Sequence, residues 1–157
     1  MVRQVLPKKE ISPYTVANSF IGLKEVPGHL NNPLIMDMLK LDNSWPQSDE
    51  VPWCSAFVNY VMHLCGLPRS RSLAARSWAQ MTYPSIPILK ASRGWDIVIL
   101  NRGGSFDYNK SGPAHVGFFS ELVESKVIIL GGNQMNTVKL STYPTTSILK
   151  IIRIGAI

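Results

Sequence analysis

The chain holds two cysteines in 157 residues, Cys54 and Cys65, and no C-x-x-C pair. That excludes a small scaffold held together by disulfides. The three histidines, His29, His63 and His115, stand in three unrelated contexts, so neither a zinc site nor any other cofactor is expected. No run reaches the roughly 20 apolar residues of a bilayer span, so stable membrane insertion is not expected. The opening MVRQVLPKKE lacks the apolar centre and small-residue cleavage site of a secretory signal. Synthesis in the cytoplasm, with any exit by another route, is the expectation. Acidic residues are few: 10 Asp and Glu against 16 Lys and Arg leave a net charge of +6. An anionic partner suits that balance. Apart from Arg69, Arg71, Arg76 and the pair Lys8 and Lys9, the basic residues are dispersed. No nucleic-acid recognition motif accompanies them, so nucleic acid is not the expected partner.

What remains is an ordinary globular composition, 45% hydrophobic with 11 Gly and 11 Pro. One domain over residues 1–157 is expected. The first half carries helical spacing and the second short β-branched runs, which predicts an α+β fold with helices packed on an antiparallel sheet. Pro13 opens a helix expected to run to Leu23, and Asn32-Pro33 opens another through Leu41. In VPWCSAFVNYVMHLCGL, Cys54, Phe57, Val58, Val61, Leu64 and Cys65 recur at steps of three and four, one buried stripe of a helix with Cys54 in its first turn. A shorter helix is expected over Leu73 to Gln80. WDIVIL, HVGFF, KVIIL and ILKIIRI predict four strands, and Val138 to Thr142 a fifth. Eleven helical residues separate the cysteine Cα atoms by about 16 Å, beyond disulfide reach, so two free thiols are expected.

A cysteine at a helix N-terminus is placed for chemistry, because the helix end lowers a thiol pKa and its unpaired N–H groups can hold an oxyanion. Cys54 is therefore the expected nucleophile, whereas Cys65 reads as a small core residue. Trp53 is expected to wall the site, and Ser55 and Asn59 to offer polar groups near it. A base must be a histidine within reach. His63 lies nine residues up the same helix, about 13 Å along the axis, and His29 falls in a loop. His115 begins a strand after a Gly-Pro loop, and Gly117 on its face leaves room for close approach. The third group, which orients the imidazole, is expected at the end of the next strand. Asn133 is the first choice there and Gln134 the reserve. Glu25, Asp49 and Arg76 are expected along a substrate groove, and Gln47, seven residues ahead of Cys54, reads as an ordinary loop residue rather than an oxyanion donor.

WCSAF at a helix start, HVGFF at a strand start and GGNQ at the end of the following strand resemble the papain-like cysteine peptidoglycan hydrolases, the CHAP and NlpC-type amidases and endopeptidases. With LKEVPG, NNP, VPWCSAFVNY, ARSW and GWDIVIL in order, the match is similar to a small phage and bacterial lysin-like family, over about Gly22 to Tyr143. The resemblance implies a papain-like fold and catalytic Cys54, His115 and Asn133, with Trp53, Ser55, Gln134, Glu25 and Asp49 toward the substrate. It implies a monomer that cleaves a stem-peptide amide of bacterial peptidoglycan at the cell wall, after release by a holin-type or other signal-independent route. The chain departs from the pattern of these families in three places, one of them Asn133 where NlpC-type enzymes carry a second His as the orienter. Gly131 stands where many CHAP domains carry an acid, and Trp53 precedes the cysteine where NlpC-type enzymes have Asp. Rival expectations are an inert wall-binding or phage structural module, a basic nucleic-acid binder, and a thiol hydrolase acting on another amide.

Overall fold

The computed structural model describes residues 10–28 and 30–155, so Lys8, Lys9 and His29 lie outside the described part. Helix α1 (Pro13–Asn18) starts where the Ser12 hydroxyl accepts from the Thr15 N–H and proline takes the first position. It stops five residues short of the expected end at Leu23. The backbone there turns to another partner: Gly22 N–H donates to Val138 O, and Val138 N–H to Leu23 O. Helix α2 (Pro33–Lys40) is capped by Asn32, whose Oδ1 accepts from Leu34 and Ile35 N–H. Helix α3 (Cys54–Leu64) ends at Gly66, whose φ of +67° terminates it at no steric cost. Its expected stripe is wider than the sequence spacing implied. Ser55, Ala56, Asn59 and Met62 are buried too, while Leu64 is exposed, because α3 runs through the middle of the domain. The expected helix over Leu73 to Gln80 is a single 3-10 turn, Ala75–Trp78. Both cysteines are free.

Five strands follow: β1 (Asp96–Asn101), β2 (Ala114–Val123), β3 (Lys126–Gln134), β4 (Thr137–Pro144) and β5 (Ile148–Arg153). They form one sheet in the order β4-β3-β2-β1-β5, with every neighbouring pair antiparallel. The protein is thus α+β, with helices on a small antiparallel sheet. Alternation divides the strands between two apolar layers. Ile97, Ile99, Val116, Phe118 and Leu130 meet the helices, whereas Val98, Leu100, Phe119, Val127, Ile129 and Ile151 pack beneath Ile86, Ile88 and Ala91. Phe57 of α3 is the centre of the first layer, edge-on to both Phe20 and Phe118. Its full burial contributes about 1.5–3 kcal/mol. Among the described residues, no helix is long and apolar enough to cross a membrane.

Two devices deliver the chain to the site. Buried Arg76 uses all five guanidinium donors on one loop, from Nε to Gly112 O, from Nη1 to Asp107 O and Lys110 O, and from Nη2 to Asn101 Oδ1 and Ser105 O. It staples the long connection between β1 and β2 that leads into His115. Arg76 was expected along a substrate groove; burial and these bonds remove it from one. Between β3 and β4 the register shifts from Gly131 to Gln134. This bulge, with Asn133 at φ +55°, decides which way the residues of GGNQ point.

Candidate active site

Cys54 is the first helical residue of α3, and Trp53 caps the helix without a side-chain hydrogen bond, leaving first-turn N–H groups uncapped. The backbone N–H groups of Val116, Ser55 and Cys54 itself face the sulfur. The Val116 contact is the informative one, because Val116 directly follows His115 and so seats the thiol against the start of β2. The sequence reading expected a thiol activated by the helix. Burial instead dominates and pushes the thiol up, outweighing those N–H groups and the Arg102 guanidinium, which all favour the thiolate.

His115 is 2% exposed, and its Nε2 lies 3.0 Å from Gln134 Oε1. The direction of the glutamine amide follows from its other bonds. Gln134 Nε2 donates to the carbonyls of Lys139, Gly131 and Ile129, and Tyr143 Oη donates to Oε1 at 2.8 Å. With the nitrogen end committed to carbonyls, Oε1 faces the imidazole, so Nε2 carries the hydrogen and Nδ1 keeps the lone pair. Burial lowers the His115 pKa to about 4; the Gln134 bond works against burial, and Arg102 adds to it. At neutral pH the imidazole is therefore uncharged, a base rather than a cation.

Glycines make this arrangement possible. A Cβ on Gly131 would stand 3.3 Å from His115 Nε2 and 3.2 Å from Gln134 Oε1, and one on Gly117 would stand 2.3 Å from Ile129 Cγ2. A Cβ on Gly132 would come within 2.7 Å of both Phe57 and the Trp53 ring, so glycine lets α3 lie against β3 here.

The thiol of Cys54 thus lies at the backbone of Val116, the residue after His115. The orienting position expected for Asn133 is occupied by Gln134, because the bulge turns Asn133 away and its side chain makes no bond to the imidazole. The polar residues expected at the substrate divide by burial. Trp53 is fully buried, and its indole N–H donates to Glu25 Oε1 at 2.9 Å. Ser55 is also inside, donating to Ser72 O and accepting from the Trp78 indole. Asn59 holds the same turn through Ser55 O, Ser72 O and Arg71 N–H. Asp49 is fully buried, and its Oδ2 accepts from Val26 and Asn32 N–H at 2.9 and 2.8 Å. These four positions build the frame. Glu25 is half-buried and lines a groove of about 350 Å³ with Lys24, Pro27, Glu50, Met135 and Asn136. Gln47 is an exposed loop residue whose amide donates to Trp45 O. His63 is exposed on α3.

Two neighbours were not singled out from the sequence. Tyr143 bonds Gln134 and lies with its ring 5.6 Å from the imidazole, centroid to centroid. Arg102, exposed just beyond β1, places positive charge near Cys54, His115 and Tyr143. Neither belongs to a local pattern; strand register and the course of the loop bring them in. Among the described residues, no group of three His, Cys, Asp or Glu is clustered to hold a metal ion. No family model matches the chain, and no curated protein matches it.

Proposed function

We propose that the protein is a papain-like cysteine hydrolase that cleaves a stem-peptide amide of bacterial peptidoglycan. The observation that carries this reading is the meeting of the α3 N-terminus with the start of β2, where Cys54 faces the Val116 N–H and His115 keeps an Nδ1 lone pair. The net charge of +6 favours approach to the anionic wall, and the ordered set of sequence motifs supplies the substrate class.

In this mechanism His115 Nδ1 takes the thiol proton as Cys54 Sγ attacks the amide carbonyl. The uncapped N–H groups of the first turn stabilise the oxyanion. Collapse breaks the C–N bond, and the imidazolium gives its proton to the leaving amine, leaving a thioester on Cys54. Water, deprotonated by His115, attacks that thioester, releasing a carboxylic acid product and restoring the thiol. Gln134 holds the ring throughout, so Nε2 never serves as the base. A neutral thiol and neutral imidazole form the resting pair, and the ion pair arises as substrate is attacked. The wall is the place of action on this reading.

The test is mass spectrometry of purified peptidoglycan after incubation with the wild-type protein and with Cys54→Ala. New amino and carboxyl ends from wild type alone are expected, and they name the bond. No products on walls of several chemotypes would overturn the substrate. Cys54 is only 6% exposed, which favours a second reading, a wall-binding module without turnover. Such a protein binds walls and releases no new amino or carboxyl ends.

A further inference from the structure

We infer that Tyr143 is a positioning residue of this site, holding Gln134 through its hydroxyl and His115 through its ring. The inference rests on reading Cys54 and His115 as nucleophile and base, but not on the identity of the substrate. Gln134 Oε1 has two lone pairs. His115 Nε2–H takes one, and the Tyr143 hydroxyl, at 2.8 Å, takes the other. The same tyrosine ring lies 5.6 Å from the imidazole centroid with the planes 38° apart. One side chain thus touches both members of the hydrogen-bonded pair.

The hydroxyl has a specific consequence. If the Gln134 amide rotated by half a turn, its N–H₂ would face the imidazole and the hydroxyl proton, and its oxygen would face the carbonyls of Lys139 and Gly131. His115 would then have to accept through Nε2 and carry its hydrogen on Nδ1, the nitrogen needed as base. Donation from Tyr143 opposes that rotation from one side, as the three carbonyls do from the other. A phenylalanine would fill the same space beside the imidazole without supplying the donor. Tyr143 reaches this position from β4, where its backbone pairs with Val127, well along the strand from Gln134. Its length is what spans the gap.

The test compares wild type, Tyr143→Phe and Tyr143→Leu in two assays that need no wall substrate. One is the solvent-exchange rate of the His115 Nε2–H resonance in NMR. The other is the pH profile of Cys54 alkylation by iodoacetamide, with thermal melts run alongside. In Tyr143→Phe, exchange is expected to quicken and alkylation at neutral pH to slow, each by about two- to tenfold, the worth of one hydrogen bond. Tyr143→Leu, which also loses the ring, is expected to go further. A Phe variant that matches wild type in both assays overturns the inference, as does one that lowers only the melting temperature. If the Phe variant shifts both assays while wild type leaves peptidoglycan intact, the positioning role stands and the proposed substrate falls.

Discussion

Gln134 Oε1 lies 3.0 Å from His115 Nε2, and the three carbonyls that receive the other end of the amide leave it no alternative direction. Gln134 and its neighbour Asn133 should therefore separate cleanly on substitution. Gln134→Ala strands a buried imidazole N–H and the tyrosine hydroxyl, and is expected to cost about 1–3 kcal/mol of stability and most activity. Asn133→Gly, at φ +55°, relieves a left-handed backbone and is expected to be neutral or mildly stabilising with activity kept. Urea melts and turnover on the same preparations check both.

The depressed His115 pKa makes stability depend on pH. The unfolded imidazole titrates near 6.5 and the folded one near 4, so between those values the unfolded chain binds more protons. Stability contributed by the neutral ring is present above about 6.5 and is lost as pH falls toward 4, about 3 kcal/mol in all. His115→Gln removes this dependence. The stability gap between wild type and variant, measured by denaturation from pH 7 to pH 4, is expected to narrow by roughly that amount.

Cys54 is expected to alkylate slowly below neutral pH and faster as pH rises, because burial holds the thiol above its ordinary pKa. Arg102 opposes that burial with its positive charge, so Arg102→Gln should move the profile further toward alkaline pH. A profile shifted toward acid by Arg102→Gln would contradict the electrostatic role given to this side chain.

Arg76 holds four carbonyls of the β1–β2 loop and the Asn101 amide at the end of β1, with no carboxylate among these partners. Lysine offers three donors from a single point. Arg76→Lys is expected to destabilise by about 3 kcal/mol or more and to open residues 103–112 to protease, read by limited proteolysis and mass spectrometry. Gly104→Ala should act in the same direction, since its Cβ would stand 2.8 Å from Arg76 Nη2.

Asp49 ties the loop after α1 to the start of α2 through two backbone N–H groups, while its Oδ1 is buried without a partner among the described residues. Asp49→Ala leaves both N–H groups unsatisfied and is expected to cost about 2–4 kcal/mol. Asp49→Asn keeps an oxygen for them and should lose much less. Hydrogen exchange at Val26 and Asn32 distinguishes the two.

Much of this protein was legible as local pattern. The Ser12 and Asn32 caps, the prolines after them, the cysteine at the head of α3 and the alternating β-branched runs each act within a few residues, so their consequences can be read in order along the chain. The place of Cys54 at the head of a helix and of His115 near the start of a strand was recoverable for that reason. The tertiary structure decided the rest. α1 ends early because its backbone meets β4, and Asn133 yields to Gln134 because a bulge reverses the parity on which a strand reading depends. The burial of Cys54, which turns an expected activated thiol into a raised one, and the arrival of Tyr143 and Arg102 are sums over distant segments. Local sequence sets what a residue can offer, while burial and hydrogen-bond geometry, which depend on the whole fold, set what it does.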